Sequence, residues 1–290
     1  MLRVMSDHSG VPERWTTVIT PVNRWRLVDW RELIAYRDLI AMFVTRDFVV
    51  QYKQTILGPL WFILQPLLSM VVFFVVFGRI AGIPTDGVPQ PLFYLGGLMV
   101  WNYFSTILIQ TSSVLISNAH LFSKVYFPRL VIPIAQVISG LGRVAIQGVL
   151  FVFLYLVYWF FGMQNTVGWG VLLAPLVFLY VAVLGFGVGL LVSAFTTRYR
   201  DLHIALSFLV QLWMYATPIV YPLSLVPERW RTIYALNPVV PPLELFKHIV
   251  FGTPLPSFSV FGAGIAVTLL LLVAGLFFFN RVERTFIDTV

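Results

Sequence analysis

Cysteine is absent from the 290 residues, so disulfides, thiolate metal sites and a cysteine nucleophile are excluded. Charge is scarce: Asp, Glu, Lys and Arg make up 11%, against about 25% in soluble domains. No Gly-Lys dipeptide occurs, which removes a Walker A loop that would cradle ATP phosphates. The four histidines, His8, His120, His203 and His248, have no metal-ligand spacing. The first 53 residues hold recurring Arg, Asp and Glu with no apolar run, so they do not read as a signal peptide.

Apolar residues are abundant. The chain is 59% hydrophobic and 16% aromatic, with a mean hydropathy of +0.88. In water such a globule would expose large apolar patches and aggregate. The sequence therefore reads as an all-α integral membrane protein. Its uncharged runs, 54–78, 87–123, 144–197, 202–227 and 248–280, set the plan. The third is too long for one span of about 20 residues. It divides at Gly162-Met163-Gln164-Asn165, ahead of Gly168-Trp169-Gly170. Six transmembrane helices are predicted near 58–80, 92–116, 136–161, 170–194, 204–222 and 258–280, within a transmembrane domain of 57–282. They lie between an N-terminal tail over 1–28 and a C-terminal tail over 283–290.

The net charge of +7 fits an excess of basic residues in cytoplasmic loops better than it fits nucleic-acid binding. With both termini inside, fourteen of the 19 Lys and Arg fall on the inner side. Four (Arg79, Arg229, Arg231 and Lys247) fall outside. Both termini are expected in the cytoplasm.

Residues 29–56 are predicted as an amphipathic helix before the first span. Leu33, Tyr36, Ile40, Phe43 and Val44 share one arc, opposite Arg31, Asp38, Arg46 and Lys53, while Arg37 and Asp47 interrupt the apolar side. It reads either as a helix lying at the lipid headgroups or as a docking surface for a protein. The segment 217–256 holds eight of the 18 prolines yet is rich in apolar residues. Irregular backbone at membrane depth must be buried in protein or line water. Two short helices, at Glu228–Leu236 and Leu243–Phe251, are expected to dip into the outer leaflet as an external gate. A plain structured loop is the alternative.

Three further features bear on function. Gly185-x-Gly187-x-Gly189 lies within a span, where small residues four apart suit close helix packing rather than dinucleotide binding. The spans contain no carboxylate, which weakens both ion-coupled transport and an embedded hydrolase or transferase. Arg143 is the one formal charge inside a span. It either snorkels to the headgroups or faces a path where a lipid phosphate pairs with it. The polar aromatics Tyr94, Trp101, Tyr103, Trp213, Tyr215 and Tyr221 fit interfacial belts, or a path offering ring faces to sugars.

Two stretches carry a family resemblance. Residues 46–61, Arg46-Asp47-Phe48-x-x-Gln51-Tyr52-Lys53-Gln54-Thr55-Ile56-Leu57-Gly58-Pro59-Leu60-Trp61, resemble the approach to the first span of type-2 ABC exporter permeases. Lys124-Val125-Tyr126-Phe127-Pro128-Arg129-Leu130-Val131-Ile132-Pro133 is similar to the first cytoplasmic loop of the polysaccharide-export branch, which moves O-antigen, capsule and teichoic acid. Thr217-Pro218-Ile219-Val220-Tyr221-Pro222, Leu236-Asn237-Pro238 and Arg284-Thr285-Phe286-Ile287-Asp288 resemble the external segment and C-terminal tail of that branch. The resemblance covers about residues 30–290.

It implies a homodimer with two separate nucleotide-binding subunits that hold ATP and Mg, no cofactor in this chain, and no enzyme activity of its own. It places the protein in the bacterial inner membrane and implies a lipid-linked polysaccharide, O-antigen first among them, as substrate. It also implies an interface helix (Arg37, Arg46, Asp47, Lys53), a coupling loop after span two, and gate helices around Pro227, Trp230, Tyr234, Asn237 and Pro238. His120, Phe122, Lys124, Tyr126, Phe127 and Arg129 are the coupling candidates, with the aromatics entering a pocket on the ATPase and the basic residues pairing with its acids. Tyr94, Trp101, Tyr103, Arg143, Trp213, Tyr215 and Tyr221 are the path candidates. The competing functions are a lipo-oligosaccharide or drug exporter permease, and a membrane-embedded polyprenyl-lipid glycosyltransferase.

Overall fold

The computed structural model describes residues 28–162, 169–199, 201–255 and 257–286. Most of the expected N-terminal tail, the 163–168 part of the expected break, Arg200, Pro256 and the last four residues lie outside the described residues. The described chain is helical, with no strand among those residues. Two short-range signals start it. The Asp29 carboxylate accepts hydrogen bonds from the amides of Arg31 and Glu32 at 3.1 and 3.2 Å, capping α1 (Trp30–Ala35). A break at Tyr36 then leads into α2 (Arg37–Tyr52).

Among the described residues, five helical segments are long and apolar enough to cross a membrane: Gly58–Ile80, Gln90–Ser112, Val131–Phe160, Gly170–Thr196 and Val260–Glu283. The first is a 3-10 turn (Gly58–Leu60), then α3 (Trp61–Phe73), then a π-helical stretch (Phe74–Ile80). The others are α4 (Gln90–Ser112), α7 (Val131–Phe160), α8 (Ala174–Thr196) and α12 (Phe258–Phe286). Two short helices, α5 (Val114–Ser117) and α6 (Ala119–Phe122), follow α4. Span two was expected to run to 116. It stops at Ser112 because the hydroxyls of Ser112 and Ser113 turn back onto the Ile109 carbonyl, at 2.7 and 3.3 Å.

The expected fifth helix, 204–222, is corrected. α9 covers Leu202–Tyr215 and ends there. Fourteen residues rise about 21 Å, short of a hydrocarbon core of about 30 Å. The chain continues without helix through Thr217–Val220, all buried. Its course can be traced along α4. Thr196, just before α9, donates to the Ser112 carbonyl at the end of α4, Trp213 packs on Trp101 and Phe104, Ile219 lies against Gly97, and Ser224 donates to Asp86 ahead of α4. Irregular backbone is tolerated here because protein surrounds it. The two helices expected in 217–256 are present as α10 (Glu228–Leu236) and α11 (Val240–Phe251).

α4 is the axis of the bundle, packed by α3, α7, α8, α9 and α11. Gly185 and Gly189 of α8 face α4, where a Cβ would meet the Phe104 carbonyl at 3.2 Å and the Thr111 side chain at 2.6 Å. Gly187, on the other face of α8, touches the backbone of α12. The three glycines thus let one helix approach two neighbours at backbone distance.

Candidate functional site

Two ends of the molecule and one pocket hold the expected functional residues. At the end carrying both terminal segments, α2 packs on α7 through Phe48, whose ring fills the space a Cβ on Gly142 would need. The arc predicted as apolar faces inward: Leu33 and Phe43 are buried, with Tyr36, Ile40 and Val44 packed beside them. The helix is docked onto the bundle rather than lying free. Arg37 and Lys53 are exposed. Arg37 reaches Asp38 at 3.8 Å in full solvent, a pair of little energetic weight. Arg46 bonds Asp47 through two nitrogens at 2.9 and 3.1 Å, and its guanidinium lies 4.6 Å from the Phe43 ring centre.

The loop of residues 118–130 rests on this platform. Phe127 is buried between Phe43 (6.0 Å) and Phe122 (5.4 Å). Arg129 is also buried. It donates to the Glu283 carbonyl oxygen, stands 3.9 Å from the Glu283 carboxylate and 5.6 Å from the Phe122 ring. Burial pulls its guanidinium below the ordinary arginine value and the Glu283 charge pushes it back up. Phe127 and Arg129 were expected to reach a partner. The structure turns both inward as braces, because a ring between two rings and a cation beside a carboxylate are better partnered inside the chain. His120, Lys124, Val125 and Tyr126 stay outside, Tyr126 at 69% exposure, and Phe122 is half-buried. Glu283, the acidic partner of this brace, was missed in the sequence: nothing local links it to a residue 154 positions away.

A pocket of about 500 Å³ opens between α3, α4 and α7. Arg143 is the one charged residue in its lining, with Gln65, Ser69, Asn102, Thr106 and Gln147. Arg143 lies about 18 Å along the axis from Val131, deeper in α7 than a helix starting at Ile134 or Ile138 would put it. The Tyr103 ring edges this pocket, while its hydroxyl donates to the Val137 carbonyl at 3.3 Å.

Two other expected path residues, Tyr94 and Trp101, are corrected. They are sealed in the core, at 0% and 3% exposure, Trp101 in edge contact with Trp213. Central position on α4 encloses them on every side. Tyr215 is exposed and Tyr221 half-buried.

At the opposite end, Asn237 ties the irregular segment together. Its Oδ1 accepts from the Trp213 indole and the Val239 amide, both at 3.1 Å, and its Nδ2 donates to the Thr217 hydroxyl at 3.0 Å. The Tyr221 and Tyr234 hydroxyls meet at 2.6 Å. Pro238 is buried, whereas Pro227 and Trp230 at the start of α10 are exposed. Lys247, counted in the sequence as an outer-loop cation, is buried. Its ammonium donates to Glu244 at 2.8 Å and the Pro218 carbonyl at 2.7 Å, 4.6 Å from the Phe93 ring centre. Sequence reasoning missed this pair, although spacing of three in a helix was the available signal.

Comparison with known proteins agrees with this architecture. The chain is 31% identical over 263 residues to the O-antigen export system permease protein RfbA of Myxococcus xanthus, covering 90% of this chain and 98% of the relative. It is 27% identical over 252 residues to a protein of that name from Klebsiella pneumoniae, covering 87% and 94%. It is 25% identical over 219 residues to the polysialic acid transport protein KpsM of Escherichia coli, covering 72% and 80%. Residues 38–251, which run from the docked helix α2 through the buried helix α11, match the family described as ABC-2 type transporter. The chain belongs to the ABC-2 type transporter family.

Proposed function

We propose that this chain is the permease subunit of an ATP-driven exporter of a lipid-linked polysaccharide of the O-antigen class, working as a homodimer with two copies of a separate nucleotide-binding subunit. The observation that carries this reading is its similarity, over nearly their whole length, to permeases named for O-antigen export. On this reading the bacterial inner membrane holds the protein with both termini in the cytoplasm, and ATP and Mg bind only to the partner subunit. The excess of basic residues in the segments assigned inside supports that orientation.

The coupling contact falls on the 118–130 loop. Its tip offers Lys124, Val125 and Tyr126, while Phe127 and Arg129 bind its base to α2 and to the end of α12. A push on the tip therefore reaches α4 behind it, α7 ahead of it, and both terminal helices beside it. Tyr215 and Tyr221 support a path along α9, and α10 with its exposed Trp230 supports an external gate.

The test joins two measurements. Deleting the gene should remove the exported polysaccharide from the cell surface, and a tagged ATPase subunit should retain this chain through purification. An unchanged surface glycan in the deletion strain overturns the polysaccharide reading. For orientation, single cysteines at Thr16 and Thr232 of this cysteine-free chain are probed with an impermeant reagent in intact cells. Labelling at 232 alone is expected, and labelling at 16 alone reverses the topology.

A further inference from the structure

The pocket between α3, α4 and α7 has a chemistry that the transport architecture by itself does not require. Arg143 projects into it half-buried, and among the described residues it makes no hydrogen bond or ion pair. Asp47 is the carboxylate nearest in effect, but it is held by two hydrogen bonds to Arg46. An unpaired guanidinium within a span is costly, and such residues pair with a counter-charge or mark a ligand path. Around the cation the lining supplies only neutral groups: the amides of Gln65, Asn102 and Gln147 and the hydroxyls of Ser69 and Thr106. The carboxylate that acts on Arg143, Asp47, is outside this lining and is engaged by Arg46.

We infer that this pocket binds a lipid-borne phosphate, with Arg143 as the charge partner and the neighbouring amides and hydroxyls as hydrogen-bond donors. A planar guanidinium fork matches phosphate oxygens bidentately, and side-chain amides and hydroxyls complete the shell. The lipid component follows from the flank of the pocket. Leu60, which ends the 3-10 turn, and Trp61 and Leu68 on α3 are 51%, 43% and 50% exposed, an apolar face on which acyl or prenyl chains lie while the phosphate turns inward. A free phosphate ion has no use for that face. The phosphate source is either the diphosphate that joins a glycan to its lipid carrier or the headgroup of a membrane phospholipid. The inference needs only a membrane-embedded chain, so it stands apart from the identity of the exported polymer.

The test is lipid binding by the purified full-length chain, read by native mass spectrometry in a neutral detergent. The probes are undecaprenyl diphosphate, dioleoyl phosphatidylglycerol and, as the phosphate-free control, dioleoylglycerol. Arg143→Gln should weaken retention of a phosphate lipid by about tenfold or more, the loss of a hydrogen bond to a charged group. Dioleoylglycerol should be unaffected, and Arg79→Gln, at the far end of the span that contains α3, should change nothing. Arg143→Lys should recover part of the binding.

Gln147→Glu guards against a folding defect. It is near-isosteric, sits one turn from Arg143, and supplies an internal carboxylate that should stabilise the chain while expelling the phosphate. Selective loss of the diphosphate assigns the site to the glycan carrier, and equal loss of both phosphate lipids assigns it to headgroups. Full retention of both phosphate lipids by Arg143→Gln and Gln147→Glu overturns the proposal. So does conversion of a dimer to monomers by Arg143→Gln with lipid binding intact, because Arg143 would then be paired by the second copy.

Discussion

The two ends of the bundle are held by different chemistry. The terminal end is packed by rings: Phe43, Phe122 and Phe127 lie against one another at tilts of 45° and 40°, and one cation, Arg129, locks them to the end of α12. The opposite end is knotted: Asn237 gathers Trp213, Thr217 and the Val239 amide, and Lys247 holds Glu244 and Pro218. The difference follows from the backbone each end must restrain. Around the loop after α4 the run that leaves helix is residues 123–130, and the flanking α2, α6 and α12 satisfy their own amides, so side chains are left to pack. Between α9 and α11 the chain gives up helix, and buried carbonyls such as that of Pro218 need donors from elsewhere. Apolar ring contacts slide at small cost, whereas a buried polar network loses much when one member goes. The end expected to meet the ATPase is thus the more deformable, and the end expected to gate is the less tolerant of losing one contact.

The largest effect should come from Lys247→Met. It strands the Glu244 carboxylate in the interior, which costs about 3–5 kcal/mol, measured as thermal unfolding of the detergent-solubilised protein. Adding Glu244→Leu should restore most of that loss. Wild-type stability in the single variant would erase the contrast between the ends. Asn237→Ala comes next: it removes three hydrogen bonds and leaves the Trp213 indole without its acceptor, for about 2–3 kcal/mol. Arg129→Ala, at the ring-packed end, should cost less, about 1–2 kcal/mol, because Glu283 keeps partial access to water. A larger loss there than at Asn237 would reverse the comparison. The smallest effect on stability belongs to Tyr126→Ala, within about 0.5 kcal/mol for an exposed side chain. Combined with Phe122→Ala it should nonetheless abolish export and weaken capture by the ATPase subunit at normal membrane abundance. Undiminished export in that double variant removes the loop as the coupling element.

Much of this was legible in the residues. Lengths of uncharged chain located the crossing segments, since a bilayer selects apolar runs of a set length whatever they pack against. The glycines of α8 were read as packing positions, and they are. The prolines of 217–256 marked irregular backbone, and two short helices lie where expected. The residues singled out for contact with a partner or substrate fared differently. Tyr94 and Trp101 looked like path residues because a tyrosine or tryptophan in an apolar helix has the same local pattern whether it meets water, lipid or protein. Only the position of α4 at the centre of the bundle enclosed them. Phe127 and Arg129 looked available because nothing in the loop names their inward partners, Phe43 and Glu283, which come from the two ends of the chain.

What the sequence settled by itself was therefore local and solvent-driven. Hydrophobic run length, charge placement and the proline-rich break depend on neighbouring residues and on the medium. Tertiary structure decided which charges lie inside and what they face. Lys247 and Glu244 became a buried pair, Arg129 a brace, and Arg143 a lone cation in a polar pocket, because long-range packing brings together residues whose separation in sequence carries no signal of their contact. It also decided that the fifth segment ends its helix at Tyr215: the run 202–227 is apolar throughout, and only the surrounding α4 and α11 supply the contacts that let its second half do without helical hydrogen bonds.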